Sequence, residues 1–139
     1  MHIRSIPLAL FLLVPVISIA SEGMVYVAVY ECEADDINRV MVEACSSQFP
    51  DLSKQANEAL AAWRKRNAAK ASAAKEACAN MEDSENASTS DRNAFRRLIT
   101  DKKAEILSSF TADIRRQGAT PCREAIRQLQ AVGGPLEIR

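Results

Sequence analysis

Residues 31–45, ECEADDINRVMVEAC, place two cysteines thirteen positions apart around a stretch with helical periodicity. From residue 37 to residue 49, apolar side chains recur every three or four positions, which puts them on one face of a helix. Asp35 or Asp36 is suited to cap the first turn, because a short acid accepts hydrogen bonds from the free backbone amides there. The stretch therefore predicts an amphipathic helix that ends at Pro50 and carries a cysteine near each end.

Three further segments show helical periodicity. The second predicted helix spans about residues 52–81, and its alanine-rich part, AAKASAAKEA, has very high helix propensity. Its apolar stripe is interrupted by Asn67 and Lys70. The third helix is expected to stop at Gly118. The expected caps are Asp51 for the second helix, Ser90 or Asp91 for the third, and Thr120 followed by Pro121 for the fourth, which ends at residues 133–135.

These segments predict an all-α fold, a small disulfide-stapled bundle of about four mostly antiparallel helices. Residues 24–30, MVYVAVY, alternate enough for a strand, but no second strand is predicted that could pair with them. We therefore expect this stretch to be extended or partly helical. The predicted organisation is a signal peptide (1–20), an extended or partly helical lead-in (21–33) and a helical-bundle domain (34–139).

The first twenty residues have the pattern of an export signal. His2 and Arg4 precede an apolar stretch over residues 6–20, which ends in the small residues that a signal peptidase reads. We predict cleavage after Ala20, and hence a periplasmic or secreted protein with no stable membrane insertion afterwards. The alternative is a retained membrane anchor, although the apolar run is shorter than the ~20 residues that a spanning helix needs.

Removal of this segment would change the chemistry that remains. His2 is the only histidine, so the predicted mature chain has none, which excludes Ser-His-Asp triads, Cys-His dyads and zinc sites with histidine ligands. From Ser21 onward the chain carries 17 basic and 18 acidic residues. This near-neutral balance argues against a nucleic-acid-binding protein.

The four cysteines, at positions 32, 45, 78 and 122, are expected to form disulfides, because their number is even and the chain is predicted to be exported. No two of them form a CxxC motif, which argues against a thioredoxin-like site and against a zinc site. We expect no metal and no cofactor.

Helix geometry selects one of the three possible disulfide pairings. If residues 32–45 are helical, the two cysteines lie about 20 Å apart, whereas a disulfide needs Cα atoms within roughly 7 Å. Cys32–Cys45 is therefore excluded, and Cys78–Cys122 with it. Cys45 lies where the first helix meets the second, and the third helix returns to that end before Cys122. We predict the pairs Cys45–Cys122 and Cys32–Cys78.

With these chemistries excluded, the sequence favours a binding protein that acts by protein–protein contact, such as an inhibitor or an immunity-type protein. The alternative is an envelope-stress chaperone or a small-ligand carrier with an apolar groove. An enzyme that uses carboxylates alone is a third possibility, because acidic residues are plentiful. We expect a protein partner and no nucleic acid.

Basic residues are the candidate contacts. Trp63 precedes a run of cations, but its helical spacing with Leu60 favours a place in the core. The cations themselves are expected to face water and to pair with acidic faces or bind a partner. The predicted partner-binding residues are Arg64, Lys65, Arg66, Arg96 and Arg97.

Overall fold

The computed structural model describes residues 16–139, with side chains from Gly23 onward. It contains four α-helices and a short 3-10 turn at Pro50–Leu52, and no strand within the described residues. This confirms the predicted all-α, disulfide-stapled bundle of about four helices. The helices are α1 (Val16–Gln48), α2 (Ser53–Glu82), α3 (Thr89–Gln117) and α4 (Thr120–Gln130).

Helix α1 is much longer than the sequence pattern indicated. Residues 24–30 belong to it, because Val25 and Val29 pack against α3 residues such as Ile99 and so stabilise a helix where alternation suggested a strand. The predicted cap at Asp35 or Asp36 is wrong, since both residues lie inside this helix. Most of the predicted signal peptide (1–20) lies outside the described residues, and its cleavage stays a prediction.

Two other predicted caps also differ from the structure. Asp51 lies in the 3-10 turn, and Leu52 precedes α2 without a capping side chain. Helix α3 starts earlier than predicted, because the Ser88 hydroxyl accepts a hydrogen bond of 3.1 Å from the Asp91 backbone N–H. Gly118 ends α3 as predicted, with φ at +63°, a conformation that favours glycine.

The start and the end of α4 also differ slightly from the prediction. Thr120 is the first residue of α4, and Ala119, rather than Thr120, occupies the cap position without a side-chain hydrogen bond. Pro121 lies in the first turn, where a missing backbone N–H costs nothing. The helix ends at Gln130, three residues before Gly133.

The main core lies between α1, α2 and α4. Trp63 is 1% exposed and packs with Val42 and Cys45 of α1 and with Ile126 and Leu129 of α4. A second cluster, which includes Val29, Cys32 and Ile99, joins α1 to α3. Full burial of an aliphatic or aromatic side chain stabilises a fold by roughly 1.5–3 kcal/mol, so these clusters hold the four helices together.

Two disulfides link the helices in the pairing that helix geometry predicts. Cys45 of α1 is bonded to Cys122 of α4, with Cα atoms 5.6 Å apart, and Cys32 of α1 to Cys78 of α2, with Cα atoms 5.9 Å apart. Disulfides of this kind indicate an oxidising, extracytoplasmic environment.

Residues 135–139, which we call the strap, follow α4 and lie against α1 and α2. Leu136 and Ile138 pack onto the main core cluster, and Ile138 is 2% exposed. Within residues 16–139, no helix combines the length and apolar character that are needed to cross a membrane.

Candidate functional site

Two of the predicted contact cations connect parts of the fold. Arg64 of α2 donates two hydrogen bonds, of 2.6 and 3.0 Å, to the carboxylate of Asp35 in α1. Arg66 donates to Glu137 of the strap at 2.9 Å and to the backbone carbonyl of Leu129 at 2.6 Å. These contacts support a role in positioning α1, α4 and the strap around α2.

The other three predicted cations are more exposed. Arg96 of α3 lies 3.3 Å from Asp83 and 3.7 Å from Glu82, near the end of α2. Lys65 and Arg97 are exposed and form no ion pair among the described residues.

The five predicted contact cations do not lie together on one small surface. Arg64 and Glu82 are eighteen positions apart in α2, or about 27 Å along the helix axis, and Arg96 lies beside Glu82. A single small contact would not include both groups.

A cleft with tyrosine and aliphatic walls opens where α1, α3 and the strap meet. Its volume is about 260 Å³, and its walls include Tyr26, Val27 and Tyr30 of α1, Ile106 of α3 and Leu136 of the strap. We call it the tyrosine cleft. Three separate elements of the fold bring apolar and aromatic groups together at the surface here.

Exposed apolar side chains continue from this cleft along α1. Met24 is 70% exposed and Val27 46% exposed, and both line a second shallow cleft of about 350 Å³ that also includes Glu31 and Arg139. Val27 belongs to both clefts, so the two are continuous. We call the surface formed by Met24, Val27 and the tyrosine cleft the α1 patch.

The two tyrosines of the patch are held in place by hydrogen bonds. The Tyr30 hydroxyl donates to the Leu136 carbonyl at 2.9 Å and accepts from the Asn38 side-chain amide at 2.9 Å. Burial raises the pKa of Tyr30. The Tyr26 hydroxyl bonds to Glu105, which raises the pKa of Tyr26. Both phenols are therefore neutral at physiological pH.

A cation also supports Tyr26 from α3. The Lys102 ammonium lies 4.8 Å from the centre of the Tyr26 ring and 2.8 Å from Glu105. The Tyr26 ring thus contacts Lys102, its hydroxyl bonds to Glu105, and Glu105 in turn pairs with Lys102. Tyr26 is an ordered side chain at the surface, so a ligand would find it already positioned.

An ionic cluster further along α1 also joins this helix to α3. Lys103 lies between Glu33, at 2.9 Å, and Asp36, which also pairs with Arg39. Hydrogen bonds from Lys103 and Arg39 lower the pKa of Asp36. Burial lowers the pKa of Lys103, but its hydrogen bonds to Asp36 and Glu33 outweigh this and raise it.

The carboxyl groups with shifted pKa values behave as ion-pair partners. Hydrogen bonds lower the pKa of Asp36, of Glu105 and of Glu124, the last to about 2. A general acid needs the opposite shift, because it must hold its proton near neutral pH. In the described part of the chain, His, Cys, Asp and Glu side chains form no group of three or more that could hold a metal ion.

Sequence reasoning missed the α1 patch. It interpreted residues 24–30 by their period-two alternation and so did not apply a helical wheel to them. On a helix, Val25, Val29 and Cys32 share one face, which packs against α3. Met24, Val27 and Glu31 share the other, and that spacing was the available signal.

Comparisons with protein-family models, with curated proteins and with solved structures found no match for this chain.

Proposed function

We propose that this protein is an exported, small helical binding protein that acts by protein–protein contact, as an inhibitor or an immunity-type protein does. The observation that carries the proposal is the α1 patch, where Met24 and Val27 are exposed beside two ordered tyrosines. Tyrosine and methionine are enriched in protein interfaces, and charged residues are depleted from interface centres. An exposed apolar patch with a polar rim is typical of an interaction site.

The scaffold supports this function by limiting the entropy lost on binding. Both disulfides anchor α1, one at Cys32 and one at Cys45, so the helix that carries the patch is attached to α2 and to α4. A surface that is already ordered loses less conformational freedom when a partner binds. The expected location is the periplasm or the extracellular medium.

A pull-down from envelope extract tests the proposal. The unmodified protein is expected to capture a stable partner, and Val27→Glu is expected to lose it, because a carboxylate would have to be desolvated at the centre of the contact. Val27 is 46% exposed, so the substitution leaves the fold intact, which circular dichroism can check. Met24→Lys provides a second variant on the same surface.

The matched control is Lys65→Ala combined with Arg97→Ala, which removes the two predicted contact cations without an ion pair among the described residues. This double variant is expected to retain the partner. If Val27→Glu still captured the partner and the double variant lost it, the contact would lie on the basic residues. The proposed role of the α1 patch would then be wrong.

A small-ligand carrier or chaperone is the second candidate, favoured by the tyrosine cleft itself. Its volume of about 260 Å³ lies just below the range of ~300–1,000 Å³ typical of small-molecule pockets. A dye that reports exposed apolar surface, added with and without Val27→Glu, tests this candidate. Suppression of client aggregation without a stable partner would favour it over the leading proposal.

A further inference from the structure

The backbone of the strap is held by side chains of α1 and α2. Trp63 Nε1 and the Tyr30 hydroxyl donate to the Leu136 carbonyl, at 2.7 and 2.9 Å. Asn67 Oδ1 accepts from the Ile138 backbone N–H at 3.1 Å. These contacts recognise a peptide backbone and do not depend on the side chains of the strap.

A lysine completes this set of contacts. Lys70 Nζ donates to the Ile138 carbonyl at 3.0 Å, so both backbone polar groups of Ile138 are bonded to α2 side chains three residues apart. Asn67 and Lys70 are the two residues that interrupt the apolar stripe of α2. We call the set Tyr30, Trp63, Arg66, Asn67 and Lys70 the cradle.

Two further contacts select the side chains of the occupant. Arg66 Nε bonds to Glu137 Oε1 at 2.9 Å, and both side chains are largely shielded from solvent. Ile138 is buried in the main core cluster, and Leu136 packs against that cluster. The cradle therefore fits an acidic residue with an apolar residue on each side.

The walls of the cradle are cross-linked by disulfides, whereas the strap is held by non-covalent contacts alone. The disulfides fasten α1 to α2 and to α4, which together form its walls, and the last cysteine, Cys122, precedes the strap. Among the described residues, the only backbone–backbone hydrogen bond made by the strap is a local one, from the Glu137 N–H to the Gly134 carbonyl. Gly133, with φ at +70°, lies in the turn between α4 and the strap.

We propose that the cradle is a second binding site, which borders the α1 patch at Tyr30, for a short peptide segment with an apolar–acidic–apolar pattern. Residues 136–138 of the strap occupy it in the present structure and are displaced when such a segment of a partner binds. The strap then competes with the partner segment for the cradle and so lowers the apparent affinity of the partner segment.

Hydrogen exchange of the unmodified full chain tests whether the strap opens. If it opens locally, the Ile138 amide exchanges at least about tenfold faster than the slowest amides of α2, since local opening needs less free energy than global unfolding. Exchange of Ile138 at the rate of the slowest core amides would mean that the cradle is never vacant, and the proposal would be wrong.

Trp63 is the only tryptophan in the chain, so its emission reports occupancy of the cradle directly. In full-length Glu137→Lys, the lost ion pair is expected to loosen the strap and shift the emission to longer wavelength. A peptide of residues 133–139 is expected to reverse this shift. The same peptide with lysine in place of glutamate is expected to bind about tenfold more weakly.

Arg66→Glu is expected to reverse the preference between the two peptides, which a purely structural strap would not do. Glu76→Lys, at an exposed position of α2 with no ion pair among the described residues, is the matched control and should leave emission and binding unchanged. Absence of a peptide effect in folded Glu137→Lys would overturn the proposal. A failure of the envelope pull-down would not affect this result, since no envelope partner is involved.

Discussion

Asn67 interrupts the apolar stripe of α2, yet it is fully buried. Its side chain is accommodated because both polar atoms are bonded, Nδ2 to the Trp63 carbonyl at 3.0 Å and Oδ1 to the Ile138 N–H at 3.1 Å. Burial of an amide without such partners would be unfavourable. At this position the polar residue is therefore a structural requirement of the strap.

Asn67→Ala is expected to lower the free energy of unfolding by about 1–3 kcal/mol, because the Ile138 N–H loses its acceptor inside the protein. Denaturation with urea measures the change. Asn57→Ala is the control, since Asn57 is an exposed asparagine of the same helix, and its effect should stay within about 0.5 kcal/mol. Equal effects of the two substitutions would contradict this role of Asn67.

At the scale of elements, α3 is attached to α1 by two apolar clusters and by charges. Val29 and Ile99 belong to one cluster, and Ile37 and Met41 of α1 belong to the other, against which Phe110 of α3 packs. Lys103 bridges to Glu33 and Asp36. Helix α3 has few buried side chains of its own, of which Ile99 and Ile114 are the most shielded. Ion pairs therefore add to the apolar contacts that hold α3 in position.

Acid is expected to weaken this attachment. The pKa of Asp36 in the folded protein lies below its ordinary value of 3.8, so its ion pairs stabilise the fold fully above about pH 4 and are lost as the pH falls through the folded-state pKa. Urea midpoints measured between pH 6 and pH 3 should fall less steeply in Asp36→Asn than in the unmodified protein. Parallel curves for the two proteins would show that Asp36 does not contribute to the pH dependence of stability. Glu76→Gln is the control, and its curve should follow that of the unmodified protein.

At the scale of the whole molecule, the disulfides connect helices that are far apart in sequence. They span 46 and 77 positions, and a link that closes a loop of this length contributes roughly 4 kcal/mol, mainly by restricting the unfolded chain. Both involve α1, which makes this helix the one to which α2 and α4 are covalently joined. Helices α1, α2 and α4 are thus cross-linked around the strap, which has no covalent link of its own to α1 or α2.

The two disulfides should differ in their response to reductant under native conditions. Cys45 and Cys122 are almost completely buried, whereas Cys78 is partly exposed. Because thiol–disulfide exchange needs access to a sulfur atom, Cys32–Cys78 is expected to be reduced first. Alkylation followed by peptide mapping measures the order, and in denaturant the difference should disappear. Earlier labelling of Cys45 or Cys122 in the folded protein would contradict this expectation.

The sequence by itself determined the helical class, the approximate extent of α2, α3 and α4, and the cysteine pairing. These follow from local periodicity, from glycine and proline at helix ends, and from the length of a helix compared with the reach of a disulfide. The core position of Trp63 was predictable for the same reason.

Only the tertiary structure decided the conformation of residues 24–30, the roles of Arg66, Asn67 and Lys70, and the surfaces proposed for binding. Each depends on contacts with residues more than sixty positions away, such as Ile99 for Val29 and Ile138 for Asn67. A local pattern records which side chains share a face, but the neighbour that a face meets is set by how the helices pack.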